Sequence, residues 1–449
     1  MTPGERLDGV WLWGLLAALL ALVLVGVPEL GSDPWPFRTG PVEPRGLLGP
    51  LVDVAGEEWD VGISRSAAFL GGLLVVLAAI VALHKQALSR AWALALCLVV
   101  IGLLLAPSVL LQVGLRDASE PWFHTNDSTY QIDIAGELVL DFDNPYGHDY
   151  RGSGLERFYT RDGSVSRRVL DEEVALEHFA YFPGSPLTGA VWRLLPRPFD
   201  DYRIFVALAT VALLFAALAF RGPPLGLRLA AGALLAANPI AVRAAWFGQN
   251  DAPSILAVLL AFALATRARY SWAAAALAAG VLLKQFAVAA VPFFFVLLVV
   301  LGVPRERLIR AALVFSAVLA AGILPFFVAD PKAFLDDAVL YGAETYRIVG
   351  YGLSALLLNL DVIDDRYGAY PFLPLALLVW LPLTIWLLRE QYRSPALWVG
   401  GVGFTVSIFV LLWLGRTFNH PYLVWPLAGI ALTALLVGVK APARRRAAD

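Results

Sequence analysis

Four side chains able to carry positive charge stand where the chain is otherwise written for lipid. Arg243 lies in the outer part of one apolar run, Lys284 near the middle of another, and Arg416 and His420 in the connector Gly415-Arg416-Thr417-Phe418-Asn419-His420 between two more. An ionisable group inside a membrane span is expensive, which makes each a candidate for function. Three permanent cations at one membrane level suit a phosphate or pyrophosphate carried on a lipid. Arginine grips two phosphate oxygens at once, and lysine adds a point charge. The competing reading is snorkelling, in which a long side chain lifts its charge to the interface. That accounts for any one of these cations and less well for three together. His420 can equally cap or hydrogen-bond within its connector.

A second polar cluster is Trp246-Phe247-Gly248-Gln249-Asn250-Asp251. Glycine permits a tight turn, and Asn250 or Asp251 can cap the next helix, with Pro253 in its first turn. Capping does not explain Gln249 beside two further polar groups. Among the sixteen carboxylates of residues 115–203, most are expected to be solvated charges. Asp127 is singled out because it follows an apolar span closely, within Thr125-Asn126-Asp127-Ser128-Thr129-Tyr130, a polar stretch able to fold back over the membrane. Asp133 is the alternative. Asp141-Phe142-Asp143 has the Asp-x-Asp form that could hold a divalent metal beside a phosphate, although two acids one residue apart are common by chance.

The elements that must position these groups are legible from composition. Of 449 residues, 59% are hydrophobic and 16% charged, with a mean hydropathy of +0.70. A soluble domain carries about a quarter charged residues to dress its surface for water. The chain is therefore expected to be an all-α polytopic membrane protein. One cysteine and five histidines exclude a disulfide framework and argue against a zinc site. A net charge of −2 gives no sign of a nucleic-acid partner. Apolar runs fall near 10–28, 67–83, 91–114, 204–220, 229–247, 252–266, 308–328, 371–388, 396–414 and 421–439. The further stretch 271–302 would measure about 48 Å as one helix, against a hydrocarbon core of about 30 Å. Arg267 and Arg269 precede it and Arg305, Arg307 and Arg310 follow it. Short cytoplasmic loops collect Lys and Arg, so both clusters belong on one side and the stretch should turn back near Lys284.

That hairpin gives about twelve passages with both termini cytoplasmic. The loops 29–66, 115–203 and 329–370 fall outside and hold thirty of the thirty-six carboxylates, whereas basic residues, including Lys440 and Arg444 to Arg446, gather inside. The first apolar run is too long for a signal-peptide core and lacks an Ala-x-Ala exit, so no cleavable signal is expected. Loop 115–203 carries aromatics from Trp122 and Phe123 to Phe182, which argues for folded structure, with short interfacial helices on the outer leaflet.

Phe179-Ala180-Tyr181-Phe182-Pro183 before a span, Gly248-Gln249-Asn250-Asp251, and the Ala/Gly-rich helix ending in Leu283-Lys284-Gln285 resemble the family 87 polyprenyl-phosphate glycosyltransferases. These are relatives of the bacterial mannosyltransferases that use polyprenyl-phosphate-mannose, within the GT-C fold. Asp127-Ser128-Thr129-Tyr130-Gln131 with Asn144-Pro145-Tyr146 is similar to the acid-bearing first loop of that family. The resemblance covers about residues 91–330. It leaves 1–90 as an added pair of spans and 331–449 as a C-terminal part with three spans. It implies Asp127, or Asp133 in a shifted register, as the catalytic acid-base residue. It also implies Gln249, Asp251 and Lys284 at the donor, with Asn250 in the variable position of the tetrad. Tyr181 and Tyr146, which the same motifs carry, join the donor-binding set. Arg243, Arg416 and His420 rest on their charge alone.

The implied activity is transfer of a sugar, mannose first, from a polyprenyl-phosphate-sugar to an acceptor hydroxyl on the extracytoplasmic face. Arabinofuranose, glucose and other hexoses stay open, as do glycolipid, polysaccharide and protein acceptors. A metal at Asp141 and Asp143 is left open too. No nucleotide-binding glycine loop is present, in keeping with a donor whose energy lies in its sugar–phosphate bond. A secondary transporter or lipid-linked-sugar flippase is the alternative from another class.

Overall fold

A segment crossing lipid has no water to satisfy its amides, so it closes its own hydrogen bonds as helix. The computed structural model describes residues 3–31, 61–118, 125–159 and 173–439. It is 77% helical, as the composition requires. Strand pairing among the described residues is a parallel two-residue ladder, β1 (Val349–Gly350) against β2 (Thr417–Phe418). Most of the external loop 29–66, the aromatics Trp122 and Phe123, and the basic tail Lys440 and Arg444 to Arg446 lie outside the described residues.

In chain order the longer helices begin with α1 (Pro3–Gly31), α2 (Val61–His84), α3 (Arg90–Ala118), α4 (Asp127–Leu140), α5 (Gly184–Arg193), α6 (Tyr202–Leu218), α7 (Leu225–Ala236) and α8 (Pro239–Phe247). They continue with α9 (Asp251–Thr266), α10 (Tyr270–Leu283), α11 (Val291–Val300), α12 (Arg305–Ala329), α13 (Leu353–Asn359), α14 (Leu381–Arg393), α15 (Trp398–Leu414) and α16 (Val424–Val437). Among the described residues six stretches are long and apolar enough to cross a membrane: Leu7–Gly26, Ser66–His84, Arg90–Gly114, Arg305–Ala329, Phe372–Arg393 and His420–Val437. The fifth reaches α14 through a π-helical stretch, Ala376–Trp380. α6, α9, α10, α15 and the segment Gln285–Val300 are apolar but shorter.

The run 229–247, expected as one span, is broken. α7 and α8 meet at 47°. Pro239 cannot continue the hydrogen-bond ladder. Asn238 fills the gap, its side-chain oxygen accepting from Ala241 N at 2.9 Å and its amide donating to Leu234 O at 2.6 Å.

The long stretch 271–302 turns back as its length and flanking charges demand. α9 and α10 run antiparallel, with Ser254 Oγ donating to Gly280 O at 2.7 Å near their shared end. α10 stops at Lys284, whose backbone is extended (φ −156°, ψ 126°), and a 3-10 turn, Gln285–Ala290, leads into α11. Phe294 of α11 then meets Phe262 of α9, ring centroids 5.6 Å apart. Phe262 lies about 12 Å below Ser254 along α9, at 1.5 Å per residue. The chain has therefore reversed.

The described residues of 115–203 fold over this end of the bundle. α4 and α5 cross where Gly136 and Gly189 let backbone touch backbone; a Cβ on Gly189 would stand 2.8 Å from Ile132 O. Tyr146, Tyr150, Phe179, Tyr202 and Phe334 form a buried aromatic core beneath the two helices. Asp337, from the next external loop, staples the two loops together. Its carboxylate accepts from Gly147 N at 2.8 Å and Phe179 N at 3.1 Å, and meets His178 Nδ1 at 2.6 Å.

Candidate functional site

The connecting segments and the ends of the apolar helices enclose a cavity of about 670 Å³. Its polar lining includes Asp127 and Gln131 of α4, Gln249 and Asp251 of the tetrad, Lys284 and Gln285 of the turn, and Arg416 of the last connector. Its apolar lining includes Val288, Val339, Phe372, Ala376, Trp380 and Leu411, contributed in part by the stretch 372–393 and by α15. A volume of this size falls in the range of small-molecule sites, roughly 300–1,000 Å³.

Asp127 opens α4, where the unsatisfied amides of the helix start favour negative charge. Asn126 caps the helix, and Asp127 Oδ1 accepts from Ser128 N at 2.8 Å. The helix start is fastened to the tetrad: Asn126 N donates to Phe247 O at 2.7 Å, and the Thr129 hydroxyl bonds Gly248 O. Gly248 ends α8 in the left-handed conformation (φ 76°), and a Cβ there would strike Thr129 and Arg203 at 2.5 Å. Glycine is thus required for the loop acid and the tetrad to meet.

Lys284 caps the broken end of α10. Its ammonium donates to Asn250 Oδ1 at 2.9 Å and pairs with Asp251 Oδ1 at 3.0 Å. The same Asp251 oxygen accepts from Trp425 Nε1 at 2.7 Å. Tyr181, Phe286 and Tyr422 present their rings to the ammonium at 5.5 to 5.7 Å. A buried lysine needs such compensation, since an isolated charge there would neutralise instead. Asn250 stands behind the lysine, outside the lining. Two bonds lock the Phe179–Pro183 motif onto this turn: Gln285 Nε2 to Ala180 O at 2.8 Å, and Ser185 Oγ to Leu283 O at 2.7 Å.

Arg416 is 1% exposed and spends its guanidinium on backbone, donating to Tyr346 O at 2.6 Å, Gly368 O at 3.1 Å and Arg366 O at 3.3 Å. Burial lowers its pKa from the usual arginine value. It reaches the cavity lining while holding the segment 329–370 to the last connector. Arg243 and His420 do not line the cavity. They face each other, Arg243 NH1 to His420 Nε2 at 3.0 Å, and tie α8 to the connector. Tyr146 also lies outside, and its hydroxyl supports Tyr181 by bonding Tyr181 O at 2.8 Å.

Asp133 is drawn away from the cavity into a buried ion-pair network. Arg116 contacts Asp133 at 2.5 Å and Asp201 at 3.0 Å, and Asp201 contacts Arg203 at 2.5 Å. Burial pushes the Asp133 carboxyl up, against the pull of Arg116. Position explains the difference from Asp127: Asp133 faces α3 and α6, whereas Asp127 sits at the open end of the helix. Asp141 and Asp143 are exposed at the far end of α4, about 20 Å from Asp127 at the helical rise. They do not fit a metal site in this cavity. Among the described residues no three His, Cys, Asp or Glu side chains gather to hold an ion.

Sequence reading missed the tyrosines Tyr159, Tyr341, Tyr346 and Tyr422, which join Tyr181 in lining the cavity. They come from three separate segments, and no local pattern marks them. Burial, followed by the Asp127 charge, raises the phenol pKa of Tyr159, Tyr181 and Tyr346, so these side chains stay neutral. Glu173 and Arg347 stand behind them. Arg347 lies over the Tyr159 and Tyr346 rings at 5.4 and 5.8 Å and faces Glu173 at 3.9 Å. Burial raises the Glu173 carboxyl above the ordinary glutamate value. No family model, curated protein or solved structure matches the chain.

Proposed function

We propose that the chain is a membrane glycosyltransferase that moves a sugar, mannose favoured, from a polyprenyl-phosphate-sugar to an acceptor hydroxyl on the extracytoplasmic face. In this reading the bundle is a GT-C-type fold. The six long spans, the bent pair α7–α8 and the five shorter apolar segments are its twelve passages. Both termini then lie in the cytoplasm with the basic loops. The observation that carries the reading is the mixed lining of one cavity. One carboxylate, Asp127, shares that lining with Lys284 and Arg416 and with the apolar side chains Val288, Val339, Phe372, Ala376, Trp380 and Leu411, which suit a prenyl chain. A lipid-linked donor needs both surfaces at one place.

The chemistry is a single displacement. Asp127 removes the proton of the acceptor hydroxyl while its oxygen bonds to the anomeric carbon, and the carbon–oxygen bond to phosphate breaks on the opposite face. The bonding pair leaves with the polyprenyl phosphate, and the anomeric centre inverts. Positioned proton removal is typically worth about 10²- to 10⁴-fold. The phosphate gains negative charge as it leaves, and donors held in place beforehand stabilise it. Lys284, already balanced by Asp251, offers its remaining N–H, and Arg416 a buried cation. Gln249, in the lining and with no side-chain hydrogen bond among the described residues, presents its amide to the donor. Arg243 and His420 contribute by holding the connector that bears Arg416.

Membranes carrying the protein, incubated with a panel of radiolabelled polyprenyl-phosphate-sugars, should yield a glycosidic product from one of them. Asp127→Asn should lower turnover about 10²-fold or more at normal abundance. Substrate accumulation in sealed vesicles without any product would instead identify a transporter.

A further inference from the structure

Tyrosine hydroxyls divide into two groups by what they bond. The buried tyrosines away from the cavity all spend theirs on the protein. Tyr130 donates to Ser153 O at 2.6 Å, Tyr150 to Pro145 O at 2.9 Å and Tyr370 to Leu414 O at 2.6 Å, and Tyr202 meets Thr188 Oγ1 at 3.1 Å. Tyr146 uses its hydroxyl on Tyr181 O. The cavity tyrosines behave otherwise. Among the described residues Tyr159, Tyr341 and Tyr422 make no hydroxyl hydrogen bond, whereas the Tyr181 hydroxyl interacts with Ser128 and the Tyr346 hydroxyl with Arg347. A hydroxyl that faces a cavity without a partner is a donor and an acceptor kept for whatever enters.

The rings are held firmly even though the hydroxyls are not. Tyr341 stacks on His178 at 4.6 Å and meets Tyr346 edge-on at 5.3 Å. Tyr422 packs edge-on against Phe286 at 5.2 Å, and Tyr181 against Phe179 at 5.6 Å. Five fixed rings, three of them with unspent hydroxyls among the described residues, stand about one carboxylate. An aliphatic guest would strand the hydroxyls, and a bare phosphate could use their donor side only. A sugar ring matches both features, with flat C–H faces for the aromatic surfaces and hydroxyls that donate and accept at its rim.

We propose that Tyr159, Tyr181, Tyr341, Tyr346 and Tyr422 form a saccharide subsite around Asp127, bordering the Lys284–Arg416 end that takes phosphate. This inference rests on the glycosyl-transfer reading and adds to it the residues that hold a neutral sugar ring. The ring is either the sugar being transferred or the acceptor's terminal sugar, and the shared chemistry is a polyol.

The test compares affinities of the purified full chain for undecaprenyl phosphate and for undecaprenyl phosphate bearing mannose, glucose, galactose or arabinose. Tyr341→Phe and Tyr422→Phe keep ring and packing and remove only the hydroxyl. Each should weaken the best sugar-bearing lipid about 3- to 10-fold while leaving undecaprenyl phosphate unchanged. That outcome assigns the subsite to the donor sugar. If the lipids are unaffected but inhibition of transfer by methyl glycosides weakens by the same factor, the subsite holds the acceptor sugar. Tyr370→Phe, which loses a hydroxyl spent on Leu414 O, should change neither measurement. Equal weakening of both lipids, or no change in either measurement, overturns the subsite. Failure of the native chain to bind any of these lipids overturns the glycosyl-transfer reading itself.

Discussion

Two aspartates six residues apart on α4 do different work. Asp127 sits at the helix start facing the cavity, while Asp133 is buried against Arg116. Their amide variants should therefore diverge. Asp127→Asn should keep thermal stability in detergent and lose transfer. Asp133→Asn should lose about 3–5 kcal/mol, because removing one partner leaves the others in a dry site with unbalanced charge. Measuring unfolding and turnover on both variants checks this; a stable, inactive Asp133→Asn protein would return the base role to Asp133. Lys284 and Asp251 form a second buried pair. Asp251→Leu alone should destabilise the fold more than Lys284→Met with Asp251→Leu, since the double variant strands no lysine. Unfolding temperatures that rank the double variant lowest would show that the pair is not coupled.

At the scale of elements, the site depends on close backbone approach and on helix breaks. α4 reaches its position because Gly136 and Gly189 let it cross α5 without side chains between them. Gly189→Val should push Ile132 away and tilt α4. We expect a loss of about 1–3 kcal/mol together with reduced turnover. The pairing of effects matters: destabilisation with unchanged turnover would mean that the crossing does not set the position of Asp127. The breaks serve a related end. α10 stops at Lys284, so its ammonium reaches Asn250 and Asp251 across the α9–α10 pair.

For the whole molecule, orientation in the membrane is the open mechanical question. The proposed topology puts the cavity outside and the turn at Gln285 with it. The chain has one cysteine, Cys97, and it is buried. Gln285→Cys can thus be probed in an otherwise native background. An impermeant thiol reagent added to intact cells should label it, and labelling only after the cytoplasmic side is opened would invert the topology. The external loops are part of one architecture with the spans: Asp337 joins the two loops, and the β1–β2 ladder joins the second loop to the last connector.

Hydropathy alone determined that this chain is helical and built for lipid, because satisfying backbone amides without water leaves few solutions. Charge bias with length determined that 271–302 must turn back, since about 48 Å of helix does not fit between two basic clusters that share a side. Local chemistry also singled out Asp127, the tetrad and Lys284, each unusual where it stands. Pairing and direction were decided only by the tertiary structure. Nothing in the spacing of Asp127 and Asp133 says which faces the cavity, for that depends on how α4 rotates against α3 and α5. Arg243 and Arg416 look alike as isolated cations, yet one meets a histidine outside the cavity and the other reaches its lining. The tyrosines came from segments as far apart as Tyr159 and Tyr422, and side chains that meet only through folding leave no periodicity to read.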